Sequence, residues 1–164
     1  MIASWFCPHA KFPSHWNFPS DFLVIIVDTN VISEFMTSPP AAPVLAWLNA
    51  QNARSLYMTT ISIAEISYGL QMLPDGKRRR LLQQRFEQFL TLAFGTRILA
   101  FDAKSARLYG RIRAHRKAVG RPLSAFDGQI AAIAHAHDYA VATRNVKDFQ
   151  DCGIELINPF TYEL

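Results

Sequence analysis

The sequence predicts an α/β fold in which a parallel sheet is covered by helices on both faces. The clearest strand is the apolar run at residues 23–27, which is rich in β-branched residues and too short for an ordinary helix. Further short apolar runs alternate with segments of helical periodicity along the rest of the chain. This alternation is typical of parallel strands that are joined by right-handed helical crossovers.

The remaining elements follow in order. Further strands are predicted at residues 56–59, 98–100, 140–143 and 154–157. Helices are predicted at residues 29–36, 42–49, 60–72, 77–92, 103–119 and 124–137. The Pro-Asp-Gly sequence at residues 74–76 is a turn signature that separates two of these helices. One helix carries a clear apolar stripe at helical spacing, made of Leu82, Phe86, Phe89, Leu90 and Ala93.

A chain of 164 residues, half of them hydrophobic, fits one domain with a substantial core. Residues 1–22 contain three Pro, two Trp and four Phe without either period, so we expect a poorly ordered extension that precedes a domain at residues 23–164. There is no apolar run of the ~18 residues that a membrane span needs, and no secretory signal pattern. Two isolated cysteines indicate neither a disulfide framework nor a zinc site, which fits a cytoplasmic protein.

The net charge of +4 is unevenly distributed. Residues 77–121 hold thirteen of the seventeen Lys and Arg but only two acids, so this segment carries +11 and the rest of the chain carries −7. We call residues 77–121 the basic lobe. Such a lobe indicates an anionic partner, for which RNA or DNA is one candidate, although charge runs are also common on solvated helix faces.

Three carboxylates stand where elements begin or end. Asp28 follows the first strand, at the sheet edge where α/β proteins bind ligands, but an Asp at this position can also simply cap the next helix. Glu65 and Asp127 lie on apolar helical stripes, where a charge without a partner is costly. Each also completes a capping-box pattern, with Ser62 and Ser124 respectively, so capping remains an alternative for both.

Several acids at one sheet edge would need protonation or a cation. Two unit charges ~4 Å apart repel by about 4 kcal/mol at a surface-like dielectric, and a few such terms rival the ~5–15 kcal/mol stability of a domain. Oxygen ligands without His or Cys select a hard ion. We therefore expect Mg²⁺, or Mn²⁺ in its place, at this edge.

Four motifs in sequence order carry a family resemblance. They are Asp28-Thr-Asn-Val-Ile-Ser-Glu, Thr60-Ile-Ser-Ile-Ala-Glu-Ile-x-x-Gly, Asp127-Gly-Gln-Ile-Ala-Ala and Ala142-Thr-Arg-Asn-Val-Lys-Asp-Phe. Over about residues 24–160 the chain resembles the PIN-domain ribonuclease toxins of the VapC and FitB type, which belong to type II toxin–antitoxin pairs. The resemblance implies a three-layer α/β/α sandwich with a mostly parallel central sheet. It also implies a Mg²⁺-dependent endoribonuclease, a cognate antitoxin that covers the active site, and a homodimer.

Carried over by position, the resemblance assigns catalysis to Asp28, Glu65, Asp127 and Asn145. The first three would bind the metal, and Glu65 would hold a water or help to deprotonate the nucleophile. The fourth acidic position of the family is Asn145 here, which weakens a second metal site, and Asp148 is a possible substitute acid. Hydrogen-bond donors around the acids are expected at Thr29, Asn30 and Thr143.

Arginines of the basic lobe are expected to hold the RNA backbone with little dependence on sequence. The candidates lie at the starts and along the lengths of two helices: Arg78, Arg79, Arg80, Arg111 and Arg116. The alternative from a different class is a non-catalytic nucleic-acid-binding module that uses the same basic lobe together with a partner protein.

Overall fold

The central element of the fold is a five-stranded sheet with every strand parallel, in the order β3-β2-β1-β4-β5. The computed structural model describes residues 23–36 and 40–163, so the extension predicted at residues 1–22 lies outside the described residues. The strands are β1 Ile25–Val27, β2 Leu56–Thr59, β3 Ile98–Leu99, β4 Ala140–Ala142 and β5 Leu156–Ile157. The α/β prediction is confirmed.

Seven α-helices in the described residues connect and cover these strands. They are α1 Thr29–Glu34, α2 Ala42–Ala50, α3 Thr60–Gln71, α4 Lys77–Phe89, α5 Ala103–Ala118, α6 Ala125–His137 and α7 Val146–Phe149. The predicted stripe of α4 packs into the core and continues through a π-helical turn at Leu90–Phe94. Short 3₁₀ turns at Ala53–Ser55 and Pro159–Thr161, and the one-turn helix α7, were not predicted, because such short segments have no detectable periodicity.

Side chains alternate along each strand, and this alternation divides the core into two layers. Ile25 and Val27 contact α1 to α4 on one face of the sheet, whereas Ile26 contacts α5, α6 and α7 on the other. Connections from β1 to β2 and from β2 to β3 run in one direction, and those from β3 to β4 and from β4 to β5 run in the opposite direction. Because parallel crossovers keep the same hand, the two directions put their helices on opposite faces, giving the predicted three layers.

The reversal of direction creates a crevice between β1 and β4. The chain leaves β1 toward β2 and leaves β4 toward β5, so the loops that follow β1 and β4 diverge. In open α/β sheets, ligands bind at this topological switch point, outside the carboxyl ends of the strands. Asp28 directly follows β1 and Thr143 directly follows β4, so both lie at the crevice.

The two basic helices lie on different faces of the sheet. Phe86 of α4 belongs to one core layer, and Ile112 of α5 belongs to the other. The arginines of the two helices therefore do not line one common groove. Within the described residues, no helix is both long and apolar enough to cross a membrane.

Candidate active site

Asp28 is buried, with 4 % of its surface exposed, although it follows an otherwise apolar strand. One of its carboxylate oxygens accepts a hydrogen bond from the backbone N–H of Thr29 at 2.8 Å, so Asp28 caps α1. Its other oxygen accepts hydrogen bonds from two side chains, the Thr143 hydroxyl at 2.7 Å and the Asn30 amide at 2.7 Å. The two interpretations of Asp28 are thus compatible, because one oxygen caps the helix while the other faces the switch point.

Thr143 and Asn30 join the loops that follow β1 and β4. The Asn30 amide nitrogen also donates to the Thr143 hydroxyl oxygen at 3.0 Å, and the backbone N–H of Asn145 donates to the same oxygen at 3.0 Å. The Asn30 carbonyl oxygen accepts from the backbone N–H of Arg144 at 3.1 Å. This network fixes the orientation of the Asp28 carboxylate, because every neighbouring donor is itself held in place.

Glu65 reaches the same edge from α3. The Thr29 hydroxyl donates to its carboxylate at 2.6 Å, which places Glu65 beside the residue that follows Asp28. Ser62 does not cap α3, as the capping-box alternative required. The cap is Thr59, whose hydroxyl oxygen accepts from the backbone N–H of Ser62 at 3.0 Å. The half-buried Glu65 is therefore free of a capping role.

Asp127 stands in the first turn of α6, and here the capping alternative holds in part. Ser124 caps the helix by accepting from the backbone N–H of Asp127 at 3.1 Å. The Ser124 hydroxyl donates in turn to the Asp127 carboxylate at 2.6 Å. This bond occupies one carboxylate oxygen, and the same carboxylate interacts electrostatically with Asp28 and Glu65.

Burial and neighbouring negative charge raise the pKa of two of the three carboxylates. The pKa of Asp28 is raised to about 6, chiefly by burial and to a smaller extent by the charges of Asp127 and Glu65, while the hydrogen bonds from Thr143 and Thr29 oppose the rise. Burial also raises the pKa of Glu65, with Asp127 adding to the effect and the Thr29 hydroxyl opposing it. A site in which burial and neighbouring negative charge disfavour the ionised forms of Asp28 and Glu65 favours a cation or a proton.

We expect the metal-free protein to become less stable as the pH rises from about 4 to about 6. In the unfolded chain Asp28 ionises near 3.8, but in the folded chain its pKa is about 6, so in this interval ionisation favours unfolding. The free energy of unfolding falls by about 3 kcal/mol over this interval, and the fall is complete above pH 6. Urea unfolding in a chelator at several pH values measures it. The Asp28→Asn chain should lack this component, and a stability difference between the two chains that does not change with pH would contradict the prediction.

The side chains of Asn145 and Asp148 do not contact the cluster of Asp28, Glu65 and Asp127. Both side chains are exposed, and neither makes a side-chain hydrogen bond to another described residue. Asn145 instead contributes its backbone N–H to Thr143, and Asp148 lies in α7 beyond it. The structure therefore gives no side-chain contact through which Asp148 substitutes for the fourth acid.

Arg144 is a residue of the site that sequence reasoning missed. Besides the backbone bond to Asn30, its guanidinium forms an ion pair with Glu34 and lies 3.9 Å from the centre of the Phe160 ring. These contacts tie the loop after β4 to α1 and to the last 3₁₀ turn. Both charged residues lie within the motifs described above, but nothing in their spacing indicates that they form a pair 110 residues apart.

The donor set fits a hard divalent cation in its chemistry. It consists of three carboxylates and neighbouring hydroxyls, and its mutual repulsion would be relieved by positive charge. Among residues 23–36 and 40–163, no three His, Cys, Asp or Glu side chains are already arranged as a metal-binding group. Hydroxyls of Thr29 and Ser124 hold two of the carboxylates. To bind an ion, the carboxylates of Glu65 and Asp127 would therefore have to turn away from these hydroxyl groups.

The arginines predicted to bind RNA have different environments. Arg116 is buried, with 3 % of its side chain exposed, and it donates to the backbone carbonyl of Gln150. That prediction is wrong for Arg116, since a buried guanidinium cannot reach a phosphate. Arg79 and Arg80 both pair with Asp75, whereas Arg78 and Arg111 are exposed.

Comparison with known proteins gives consistent matches. The model of the PIN domain family matches residues 25–153. VapC ribonuclease Y4jK from Sinorhizobium fredii is 42 % identical over 137 residues, which cover 84 % of this chain and 98 % of that protein. Toxin FitB from Neisseria gonorrhoeae is 38 % identical over 84 % of this chain and 99 % of its own length. The crystal structure of FitAcB from Neisseria gonorrhoeae superposes with a TM-score of 0.79 at 38 % identity, covering 84 % of this chain and 99 % of that one.

Proposed function

This chain belongs to the PIN-domain family and is a homologue of the VapC and FitB toxins, and on that premise we propose that it is a Mg²⁺-dependent endoribonuclease. The observation that carries the proposal is the group formed by Asp28, Glu65 and Asp127 at the switch point of the sheet. The charge of Asp127 raises the pKa of both Asp28 and Glu65, and the side-chain hydrogen bonds to Glu65 and Asp127 come from hydroxyl groups rather than cationic side chains. Asp28 and Asp127 take part in helix caps, but capping does not require Glu65 to bring a third carboxylate to the same cluster.

The residues divide the chemistry among them. Asp28 and Asp127 would hold a Mg²⁺ or Mn²⁺ ion, which when bound would supply Lewis acidity toward the attacked phosphate and lower the pKa of a water. The bonds from Thr143, Asn30 and Thr29 keep the Asp28 carboxylate in one orientation. Glu65 positions the attacking water and accepts its proton, a role that suits a carboxylate whose pKa burial has raised.

The biological role that we propose is that of the toxin in a type II toxin–antitoxin pair, which acts on RNA in the cytoplasm. The relatives named above are a VapC ribonuclease and a toxin. A protein partner also suits the surface of α3, where Tyr68 and Met72 lie one turn apart and are each 67 % exposed. These apolar side chains are candidate contacts for the cognate antitoxin or for the second copy of a homodimer.

The direct test is cleavage of a single-stranded RNA by the purified chain in Mg²⁺ and in a chelator. We expect cleavage in Mg²⁺ only, and a loss of at least ~100-fold in the Glu65→Gln variant, the size that general-base catalysis commonly contributes. Glu87→Gln is the matched control, because Glu87 is exposed on α4 and makes no side-chain contact with the site.

The two candidate functions give opposite results in this assay. A non-catalytic binding module would bind the RNA in both buffers and cleave it in neither. Cleavage that survives the chelator, or that Glu65→Gln leaves intact, would also contradict the proposed mechanism.

A further inference from the structure

Tyr109 of α5 packs against the helix turn that carries Asp127. A Cβ atom at Gly128 would lie only 3.0 Å from Cε2 of the Tyr109 ring, so the absence of a side chain at Gly128 allows this contact. On the other side, Phe101 packs edge-on against Tyr109 with the ring centres 5.8 Å apart. The position of the Tyr109 ring is thus fixed relative to the first turn of α6.

Tyr109 in turn holds Arg113, which lies one turn further along α5. The Arg113 guanidinium donates to the Tyr109 hydroxyl at 2.8 Å, and its central carbon is 5.4 Å from the centre of the ring. Both contacts restrain an otherwise flexible, exposed side chain. Through Tyr109, Arg113 is thus connected to Gly128, the residue that follows Asp127.

The charge of Arg113 has no acidic partner among the described residues. Five described arginines have a carboxylate within ion-pair distance, namely Arg79, Arg80, Arg116, Arg121 and Arg144, whereas Arg113 is one of seven that have none. A guanidinium has five N–H donors, and the Tyr109 hydroxyl accepts from only one nitrogen of Arg113. Arg113 therefore combines a fixed position, an accessible charge and unused donors, which together suit a phosphate.

An exposed aromatic ring stands on the same helix turn, on the opposite flank of Asp127 from Gly128, because residues two apart on an α-helix point to roughly opposite sides. Phe126 immediately precedes Asp127, and 50 % of its surface is exposed. It is the one large apolar side chain of this turn, whose other side chains are small or polar. Single-stranded RNA offers two kinds of surface, charged phosphates and flat bases. Proteins bind the bases by stacking aromatic rings on them, with little dependence on sequence.

We propose that Arg113 and Phe126 form a nucleotide-binding subsite next to the active-site carboxylates, an inference that rests on the proposed ribonuclease function. Arg113 binds a phosphate adjacent to the scissile bond, and Phe126 stacks on a neighbouring base. Tyr109 is a positioning residue that acts through Arg113. The subsite brings positive charge to a cluster of acids that would otherwise repel the RNA backbone.

The test measures binding of a mixed-sequence single-stranded RNA oligonucleotide by the full chain in an Asp28→Asn background. Arg113→Gln should weaken binding about tenfold and reduce the slope of log affinity against log salt by ~0.7, as expected for one lost phosphate contact. Phe126→Ala should weaken binding by roughly five- to one-hundred-fold without changing that slope, because stacking involves no counterion. Arg54→Gln is the matched control: it removes the same charge from an exposed site that precedes β2, at the opposite edge of the sheet.

Cleavage kinetics with Asp28 intact separate this inference from the function on which it rests. Tyr109→Phe, which keeps the ring but removes the hydroxyl, should raise KM and leave kcat unchanged. If the chain cleaves RNA and Arg113→Gln behaves as Arg54→Gln does, the subsite is overturned and the nuclease stands. If Arg113→Gln keeps its RNA affinity but loses a co-expressed antitoxin, the patch binds protein, and the proposal is likewise overturned. Arg113-dependent binding by a chain that cleaves no RNA would support the subsite and overturn the proposed function.

Discussion

Replacing Asp28 by Asn should abolish RNA cleavage while leaving the protein folded. Asp28 is the most buried of the three acids, and both of its oxygens are held in fixed positions by hydrogen bonds. Loss of its charge would remove the main cation ligand and, with it, several kcal/mol of transition-state stabilisation. A loss of ~4 kcal/mol corresponds to a rate about 1000-fold lower.

The fold should tolerate this change because an ionised carboxylate is unfavourable at this position. Burial raises the pKa of Asp28, so without a cation the uncharged Asn side chain is expected to be at least as stable at neutral pH. Thermal melting with and without Mg²⁺ tests both parts: Mg²⁺ should raise the melting temperature of the wild type but not that of Asp28→Asn.

Asp138→Asn is the matched control for Asp28→Asn. Asp138 ends α6 at the opposite end from Asp127 and has a φ of 59°, a conformation that Asn adopts readily. Normal cleavage by Asp28→Asn, or an equal loss in Asp138→Asn, would show that the catalytic centre lies elsewhere.

The sequence allowed the fold and the position of the three acids to be predicted because their signals are local. An apolar run that ends in Asp28 identifies both a buried strand and the sheet edge that follows it. Asp127 could be placed near that edge because it lies in the first turn of α6, and Glu65 because it lies in the second turn of α3, each helix starting at a recognisable boundary. The hydrogen-bond partner of Glu65 could not be predicted in the same way, because Thr29 lies 36 residues away in the sequence.

The arginines show the limit of this reasoning most clearly. Arg113 and Arg116 lie three residues apart on one helix, and the sequence pattern does not distinguish them. In the structure Arg113 is exposed and contacts Tyr109, whereas the loop between α7 and β5 covers Arg116. The face of α5 that is buried depends on that distant loop, so it cannot be predicted from the sequence of α5 itself.

Replacing Arg116 by Ala should therefore destabilise the protein without altering its RNA affinity. The Arg116 guanidinium donates to the Gln150 carbonyl and lies 3.9 Å from the Asp151 carboxylate, which Arg121 also contacts at 2.9 Å. Removing a buried member of such a group costs about 3 kcal/mol, which corresponds to a melting temperature lower by roughly 6–12 °C.

Arg111→Ala is the matched control for Arg116→Ala, because it removes the same charge from an exposed position of α5 and should change the free energy of unfolding by no more than ~0.5 kcal/mol. The measurement is urea unfolding of both variants, combined with the salt dependence of RNA binding at a temperature where both are folded. Since Arg116 points into the protein, its loss should leave the salt slope at the wild-type value. An Arg116→Ala chain with unchanged stability and a reduced salt slope would instead place this guanidinium on the RNA.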